Sequence, residues 1–174
     1  MNIIVAKCLN GGIGYKNKLP WGFRSDLRRF AKLTKGQGNN AIIMGRKTWE
    51  SLPLRPLSGR DNYVLSATLK SDQAYVFSSV ETLMSHLKNK DYDDIWVIGG
   101  AAVYEVLMDE TDKLFVTEIQ KSYCCDTFFP SMPDTFTLES SVEKWTTTHH
   151  GSSGYGRCDK AEGVLLRYAV YTRM

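Results

Sequence analysis

Short apolar runs, each stopped by glycine, constrain this chain more than any other feature. Ile3-Ile4-Val5 lies inside such a run over residues 2–9, which ends at Asn10-Gly11-Gly12. Residues 41–44 end at Gly45, and residues 95–98 end at Gly99-Gly100. Runs this short and this apolar read as strands buried on both faces. Helical patterns lie between them. Alternation of this kind predicts an α/β fold with a central mixed, mostly parallel sheet flanked by helices.

Ser25 is placed to cap a helix running to about residue 34, with Leu27, Phe30, Ala31 and Thr34 on one face and Arg28, Arg29 and Lys32 opposite. A short helix is expected over residues 46–51, and strands over 62–66, 74–77 and 114–119. Ser78-x-x-Glu81 reads as a capping box opening a helix to about Asn89, and residues 101–107 as another helix. Residues 136–144 and 165–172 look like two long strands of an antiparallel hairpin joined by a Gly/Ser-rich loop. Residues 10–21 hold three glycines and one proline and read as a long mobile loop of the kind that carries function.

With 174 residues, one domain over 1–174 is expected. Apolar runs fall short of the roughly 18 residues of a membrane span, and the N-terminus does not read as a signal peptide. Cys8, Cys124, Cys125 and Cys158 lack zinc or disulfide spacing and are expected as reduced thiols of a cytoplasmic protein. His86, His149 and His150 have no metal-ligand company, so no metal is expected. The net charge of +3 hides a division: residues 1–49 carry ten Lys/Arg and one acid, Asp26, while the remainder carries an excess of acids. The cations are dispersed without aromatic interleaving, which favours small anions over nucleic acid or a membrane surface.

Gly99-Gly100, between a strand and a helix, stands where an open α/β sheet binds ligands, and two missing Cβ atoms admit a diphosphate or an unusual turn. Gly45-Arg46-Lys47-Thr48 repeats the arrangement with two cations and a hydroxyl, as a phosphate site or a solvated basic turn. Ser66 ends the neighbouring strand and can add a second hydroxyl. Asp26 lies on the flank of an apolar stripe beside Phe30 and near Trp21, where a carboxyl gains a raised pKa suited to acid/base chemistry or to gripping an NH-rich ring. As an ordinary first-turn acid it would favour the helix dipole. Trp49, Trp96 and Trp145 read as packing residues.

Taken in order, Leu19-Pro20-Trp21, Asp26-Leu27-x-x-Phe30-x-x-x-Thr34, the run from Ile43 to Ser51, Pro56-Leu57-x-Gly59-Arg60, Val97-Ile98-Gly99-Gly100-x-x-x-Tyr104, Thr117-x-Ile119 and Asp126-Thr127-x-Phe129-Pro130 resemble the dihydrofolate reductase family over residues 3–130. The resemblance implies NADPH-dependent reduction of 7,8-dihydrofolate to tetrahydrofolate, supporting one-carbon and thymidylate metabolism. It implies that Asp26 holds the pterin, with Thr117 and a water near Trp21 completing the network. Leu27, Phe30, Leu52 and Tyr104 would line the substrate pocket, and Ile4 and Ile98 would offer carbonyls. Arg60 would take the glutamate α-carboxylate, with Arg55 assisting.

The same resemblance implies cofactor contacts from Ala6, Ile13, Gly14, Gly45, Thr48, Leu65, Ala101, Ala102, Val103 and Tyr104. It gives the 2′-phosphate to Arg46, Lys47 and Ser66, and the diphosphate to a cis Gly99-Gly100 pair. Residues 10–21 become a lid anchored by Asp126. Gly22-Phe23-Arg24-Ser25 lacks the proline often found before the acid, and Ala101-Ala102 replaces a glycine or polar pair. A monomer without nucleic-acid or membrane partners is expected. Competing readings are a riboflavin-pathway reductase of the same fold and an idle nucleotide-binding module.

Overall fold

A computed structural model describes residues 1–147 and 163–174. Its strands are β1 (Asn2–Cys8), β2 (Gly12–Gly14), β3 (Ala41–Gly45), β4 (Asp61–Leu65), β5 (Tyr75–Phe77), β6 (Ile95–Gly99), β7 (Lys113–Ile119), β8 (Thr127–Phe128), β9 (Phe136–Thr147) and β10 (Gly163–Arg173). The helices are α1 (Arg24–Lys35), α2 (Arg46–Ser51), α3 (Val80–Leu87) and α4 (Ala101–Leu107). Eight strands form one sheet in the order β5-β4-β3-β6-β1-β7-β10-β9. The pairs from β5 to β7 are parallel, and β10 joins β7 and β9 antiparallel, as the alternation and the terminal hairpin predict.

Strand periodicity divides the core. Ile3, Val5, Ile43 and Val97 pack with Leu83, Val103 and Leu107 of α3 and α4. Ile4, Ile42, Met44 and Trp96 face the other way, onto Trp49 of α2 and Phe30 and Leu33 of α1. Burial on both faces explains why these strands read as continuous apolar runs.

Both predicted helix caps are displaced. Phe23 holds the N-cap position of α1, with Leu27 N–H donating to its carbonyl at 3.1 Å and no side chain capping the end. Phe23 is almost fully buried beside Trp21, Leu166 and Tyr168. Burying its ring is worth about 1.5–3 kcal/mol, against about 1 kcal/mol for a serine cap, so packing decides where the helix begins. Ser25 instead lies one step inside the helix, 3.3 Å from the Thr146 hydroxyl. In α3 the cap is Ser79, which accepts from Thr82 N–H at 3.2 Å, and not Ser78. Val80, Leu83, Met84 and Leu87 all face the core, and that stripe sets the phase.

Three further expectations change. Leu27 is 53% exposed and does not join the core. Arg29 leaves the solvated face and lies half-buried over the Tyr168 ring, 4.6 Å from its centroid. Trp145 is 74% exposed, because β9 is the sheet's edge strand. Nor is the segment after β1 a free loop. Its β2 pairs with β8, and Lys16 and Asn17, both at positive φ, turn the chain so that Tyr15 bridges Lys18. Cys158, His149, His150 and most of the loop over residues 149–163 lie outside the described residues.

Replacing Ser79 by alanine is expected to lower stability by about 1 kcal/mol, while Ser78→Ala stays within about 0.5 kcal/mol. Urea unfolding of both variants checks this, and the opposite order would return the cap to Ser78.

Candidate active site

The sheet parts at one place. Strands β1 and β6 pair only at Asn2↔Trp96 and Ile3↔Val97, whereas β1 continues alongside β7 for its whole length. Beyond Ile3 the Ile4 carbonyl is released from the ladder and accepts the Tyr104 hydroxyl at 2.8 Å. Between the carboxyl ends of these strands lies the crevice expected of an open α/β sheet. Gly99 and Gly100 stand on its β6 side, joined by a cis peptide. Gly99 has φ +121°, and a Cβ there would meet the Tyr104 hydroxyl at 3.2 Å, so both torsion and space require glycine. Burial pushes the Tyr104 hydroxyl well up, which keeps it a donor.

Asp26 comes from the first turn of α1 and Thr117 from β7. The Thr117 hydroxyl donates to Asp26 Oδ1 at 2.7 Å. Burial raises the Asp26 carboxyl above its ordinary value, and the Thr117 bond and the Arg29 charge pull it back only in part. Trp21 is buried nearby against Phe23 and Tyr168, and its indole N–H has no hydrogen-bond partner among the described residues. Ala6, in register with Thr117, packs against the same group.

Phe30, Leu52 and Ile98 pack with Ile4 and Trp49 into one apolar wall. Arg55 lies over the Trp49 ring at 5.7 Å. Arg60 donates from Nη1 to the Thr34 hydroxyl and from Nε to the Ser58 carbonyl, both at 2.9 Å. Thr34 in turn donates to the Phe30 carbonyl at 2.7 Å. These bonds fix the guanidinium plane at the end of α1, and burial lowers the Arg60 pKa.

On the other side of the crevice, a Cβ on Gly45 would lie 3.1 Å from Val103 and 3.9 Å from Gly100 N, and one on Gly100 would lie 3.7 Å from the Thr48 hydroxyl. Gly45 is in register with Leu65, so Arg46 and Ser66 follow side by side at two strand ends. Arg46 pairs with Glu50 at 3.1 Å across one helical turn, an exposed pair worth little. The Ser66 hydroxyl accepts from Thr68 and Leu69 N–H and keeps its own proton to donate. Ala101 and Ala102 open α4 beside this surface.

The segment carrying Ile13 and Gly14 is tied down at both flanks. The Asp126 carboxylate accepts Lys16 N–H at 2.9 Å, and Asp126 N–H donates to the Gly14 carbonyl at 3.0 Å. The Lys16 amide and the Thr127 hydroxyl hold that carboxyl below the usual range. Asn17 Nδ2 donates to the Lys47 carbonyl at 3.2 Å. Asn17 and Tyr168 are the residues that sequence reasoning missed as parts of this region, while Thr34 stands in the family pattern without a role until its bond to Arg60 supplies one. Asn17 had a usable signal, since asparagine tolerates the left-handed turn it occupies. Tyr168 lies in the tail, beyond the stretch that carries the family pattern.

An open α/β sheet parted beside a partly buried carboxylate, with glycines on the other side of the crevice, has the layout of an α/β enzyme that takes its ligand at the carboxyl ends of the strands. Residues 1–155 match the family model for dihydrofolate reductase. A dihydrofolate reductase of Haemophilus influenzae is 39% identical over 173 residues, covering 99% of this chain and 98% of its own. One from Drosophila melanogaster is 40% identical over 148 residues, covering 78% of this chain and 81% of its own. A solved structure of the Enterococcus faecalis enzyme, in complex with NADP(H) and RAB-propyl, superposes with TM-score 0.82 at 27% identity, covering 99% of this chain and 95% of its own. The chain belongs to the dihydrofolate reductase family.

Burial of Asp26 has a consequence for stability. An acid whose folded pKa is raised holds its proton more tightly when folded. Stability therefore falls as pH climbs from the unfolded value, near 3.8, through the folded one. Asp26→Asn, which never ionises, is expected to be more stable than the parent at pH 7.5, with the gain shrinking towards pH 4. Urea midpoints across that range check it, and a gain independent of pH would contradict the burial argument.

Proposed function

We propose that the chain reduces 7,8-dihydrofolate to 5,6,7,8-tetrahydrofolate with NADPH. The observation that carries this reading is the partly buried Asp26 carboxylate, fixed by Thr117 beside the parted β1 and β6 and facing a crevice whose far side is glycine. The residues present fit the cofactor. Cβ atoms at Gly45 and Gly99 would crowd Val103 and Tyr104 beside the crevice, and Arg46, Lys47 and the Ser66 hydroxyl are suited to a 2′-phosphate, which favours NADPH over NADH. Ala6, Ile13, Gly14, Thr48, Leu65 and the start of α4 through Ala101, Ala102, Val103 and Tyr104 complete that surface. NADPH, when bound, supplies the hydride that C6 of the pterin accepts.

Asp26 takes the pterin 2-amino group and N3, a pairing that suits a carboxylate already oriented by a hydroxyl donor. Its raised proton affinity favours the protonated form nearer neutral pH and so favours protonation at N5, which makes C6 electrophilic. Trp21 closes the apolar side of that network. The Ile4 and Ile98 carbonyls and Tyr104 border the ring's other edge, and Leu27, Phe30 and Leu52 wall the benzoyl group. Arg60, held in plane by Thr34 and Ser58, offers the rest of its edge to the α-carboxylate, and Arg55 stands nearby. Residues 10–21 cover the nicotinamide and exclude water, with Asp126 and the Asn17 to Lys47 bond as their stays.

We infer further that the protein is one domain acting as a cytoplasmic monomer without a nucleic-acid partner. Two observations support the last point: Arg29 is stacked on Tyr168 and Arg46 is paired with Glu50, so part of the basic first third serves internal contacts. Among the described residues no helix is long and apolar enough to cross a membrane.

Purified chain is expected to oxidise NADPH only when dihydrofolate is added. Asp26→Asn should lower turnover near neutral pH by roughly 10²–10⁴ and remove the decline that rising pH imposes as Asp26 ionises. Near-parental turnover in that variant would take Asp26 out of the chemistry. Arg60→Lys should raise KM for dihydrofolate by roughly tenfold or more while leaving that for NADPH nearly unchanged, because a point charge replaces a planar fork. The reverse order would misplace the substrate's tail.

A further inference from the structure

Arg29 is a cation where α1 turns inward. It stands three residues after Asp26, so the two side chains are neighbours on the helix surface. Its guanidinium lies over the Tyr168 ring, 4.6 Å from the centroid. Tyr168 is in register with Thr117 across β10 and β7, which puts both side chains on one face of the sheet. Thr117 donates to Asp26 at 2.7 Å. Four side chains from three elements thus close a ring: Asp26, Thr117, Tyr168 and Arg29.

We propose that Arg29 and Tyr168 form a positioning pair behind Asp26, in which the Tyr168 ring holds the guanidinium one helical turn from the carboxyl without an ion pair, so that a positive charge backs the acid while its oxygens stay open to the substrate. This rests on the proposed reduction, in which Asp26 acts on the pterin. Packing alone does not account for Arg29. Burial disfavours its charge, and an apolar side chain would cover Tyr168 without that penalty. No carboxylate among the described residues lies within ion-pairing distance of it. The main favourable charge acting on it is Asp26, at longer range, with a smaller contribution from Tyr168. That separation lets Arg29 bias the carboxyl without occupying the oxygens that would meet the substrate.

Among the described residues, the other groups facing Asp26 leave Arg29 as the one charge to be considered. From β7 comes the neutral Thr117 hydroxyl, and from β10 the Tyr168 hydroxyl, pushed up by burial so that it stays protonated. From the segment before α1 comes the Trp21 indole, with Tyr123 packed edge-on behind it. Glu118 and Arg167 pair with each other on the opposite face of the sheet. Arg29 therefore opposes the effect of burial, holding Asp26 less basic than its surroundings alone would make it.

The test follows the Asp26 carboxyl directly, by carboxyl-carbon NMR titration of the full chain, alongside the pH profile of dihydrofolate turnover. Arg29→Gln is expected to move the Asp26 midpoint upward and carry the alkaline limb of turnover with it. Arg29→Lys, which keeps a charge, should move it less. Tyr168→Leu removes the platform and should shift the midpoint in the same direction as Arg29→Gln, whereas Tyr168→Phe should leave it in place. These variants keep the test decisive if Arg29→Gln does not fold. A midpoint that stays put or falls on loss of the charge or platform overturns the pairing. A shifted midpoint in a protein that turns over no dihydrofolate overturns the proposed reaction and leaves the effect of Arg29 on Asp26 standing.

Discussion

The Thr117 to Asp26 hydrogen bond, 2.7 Å between β7 and α1, is the contact on which the candidate site depends. Strand β7 is locked to β1 over seven register pairs and to β10 over seven more, so its hydroxyl is held by a strand paired along its whole length on both sides. Helix α1 has no side-chain cap and is held by Phe23 at its start and by Phe30 and Leu33 along its inner face. The bond fixes where the first turn of that helix presents its carboxylate. One neutral donor does not make up for partial loss of water, so the carboxyl keeps a raised proton affinity. Position and acidity follow from the same arrangement.

The crevice itself comes from a ladder that stops early. Had β1 and β6 paired throughout, the Ile4 carbonyl would be bonded within the sheet and no space would open beside Asp26. Tyr104 accepts the consequence by donating its hydroxyl to that carbonyl, which would otherwise be an unpaired polar group in a buried setting. Its ring occupies the room that a side chain at position 99 would need, which is why the turn into α4 is built from glycine. The same logic governs position 12, where a Cβ would stand 2.3 Å from Cys125 Sγ. Glycine there lets the segment over the crevice lie flat on its support.

Legibility followed the physics of each feature. Strands buried on both faces announce themselves as apolar runs, and the glycines that end β3 and β6 mark where backbone must come close. Helix starts fall two residues from the expected serine in α1 and one in α3, because the serine pattern records a contribution of about 1 kcal/mol, which the burial of Phe23 and the stripe through Val80 outweigh. The link from Asp26 to Thr117 spans 91 residues and has no local signal; only the ordered family pattern pointed to it. Tyr168 lies outside that pattern. Helical periodicity puts Arg29 opposite the apolar face with Arg28 and Lys32, but periodicity carries no sign of a facing ring in β10, and a guanidinium can lie flat on an aromatic ring and still keep its charge.

The placement of these charges is costly for folding in a way that chemistry explains better than stability does. Asparagine at position 26 would accept the Thr117 bond without ever ionising, and an aliphatic side chain at position 29 would cover the Tyr168 ring without a desolvated cation. Each change simplifies the fold. Together the two residues oppose one another at a distance too great for an ion pair, so neither neutralises the other and neither blocks the other's remaining contacts. A carboxyl in that position can take and release a proton as a ring binds and leaves, which a directly paired one, held firmly ionised, does poorly. The lone acid of the first 49 residues and one of the ten cations around it are thus parts of a single device, and the excess of positive charge in that stretch is in part the means by which its one carboxylate is tuned.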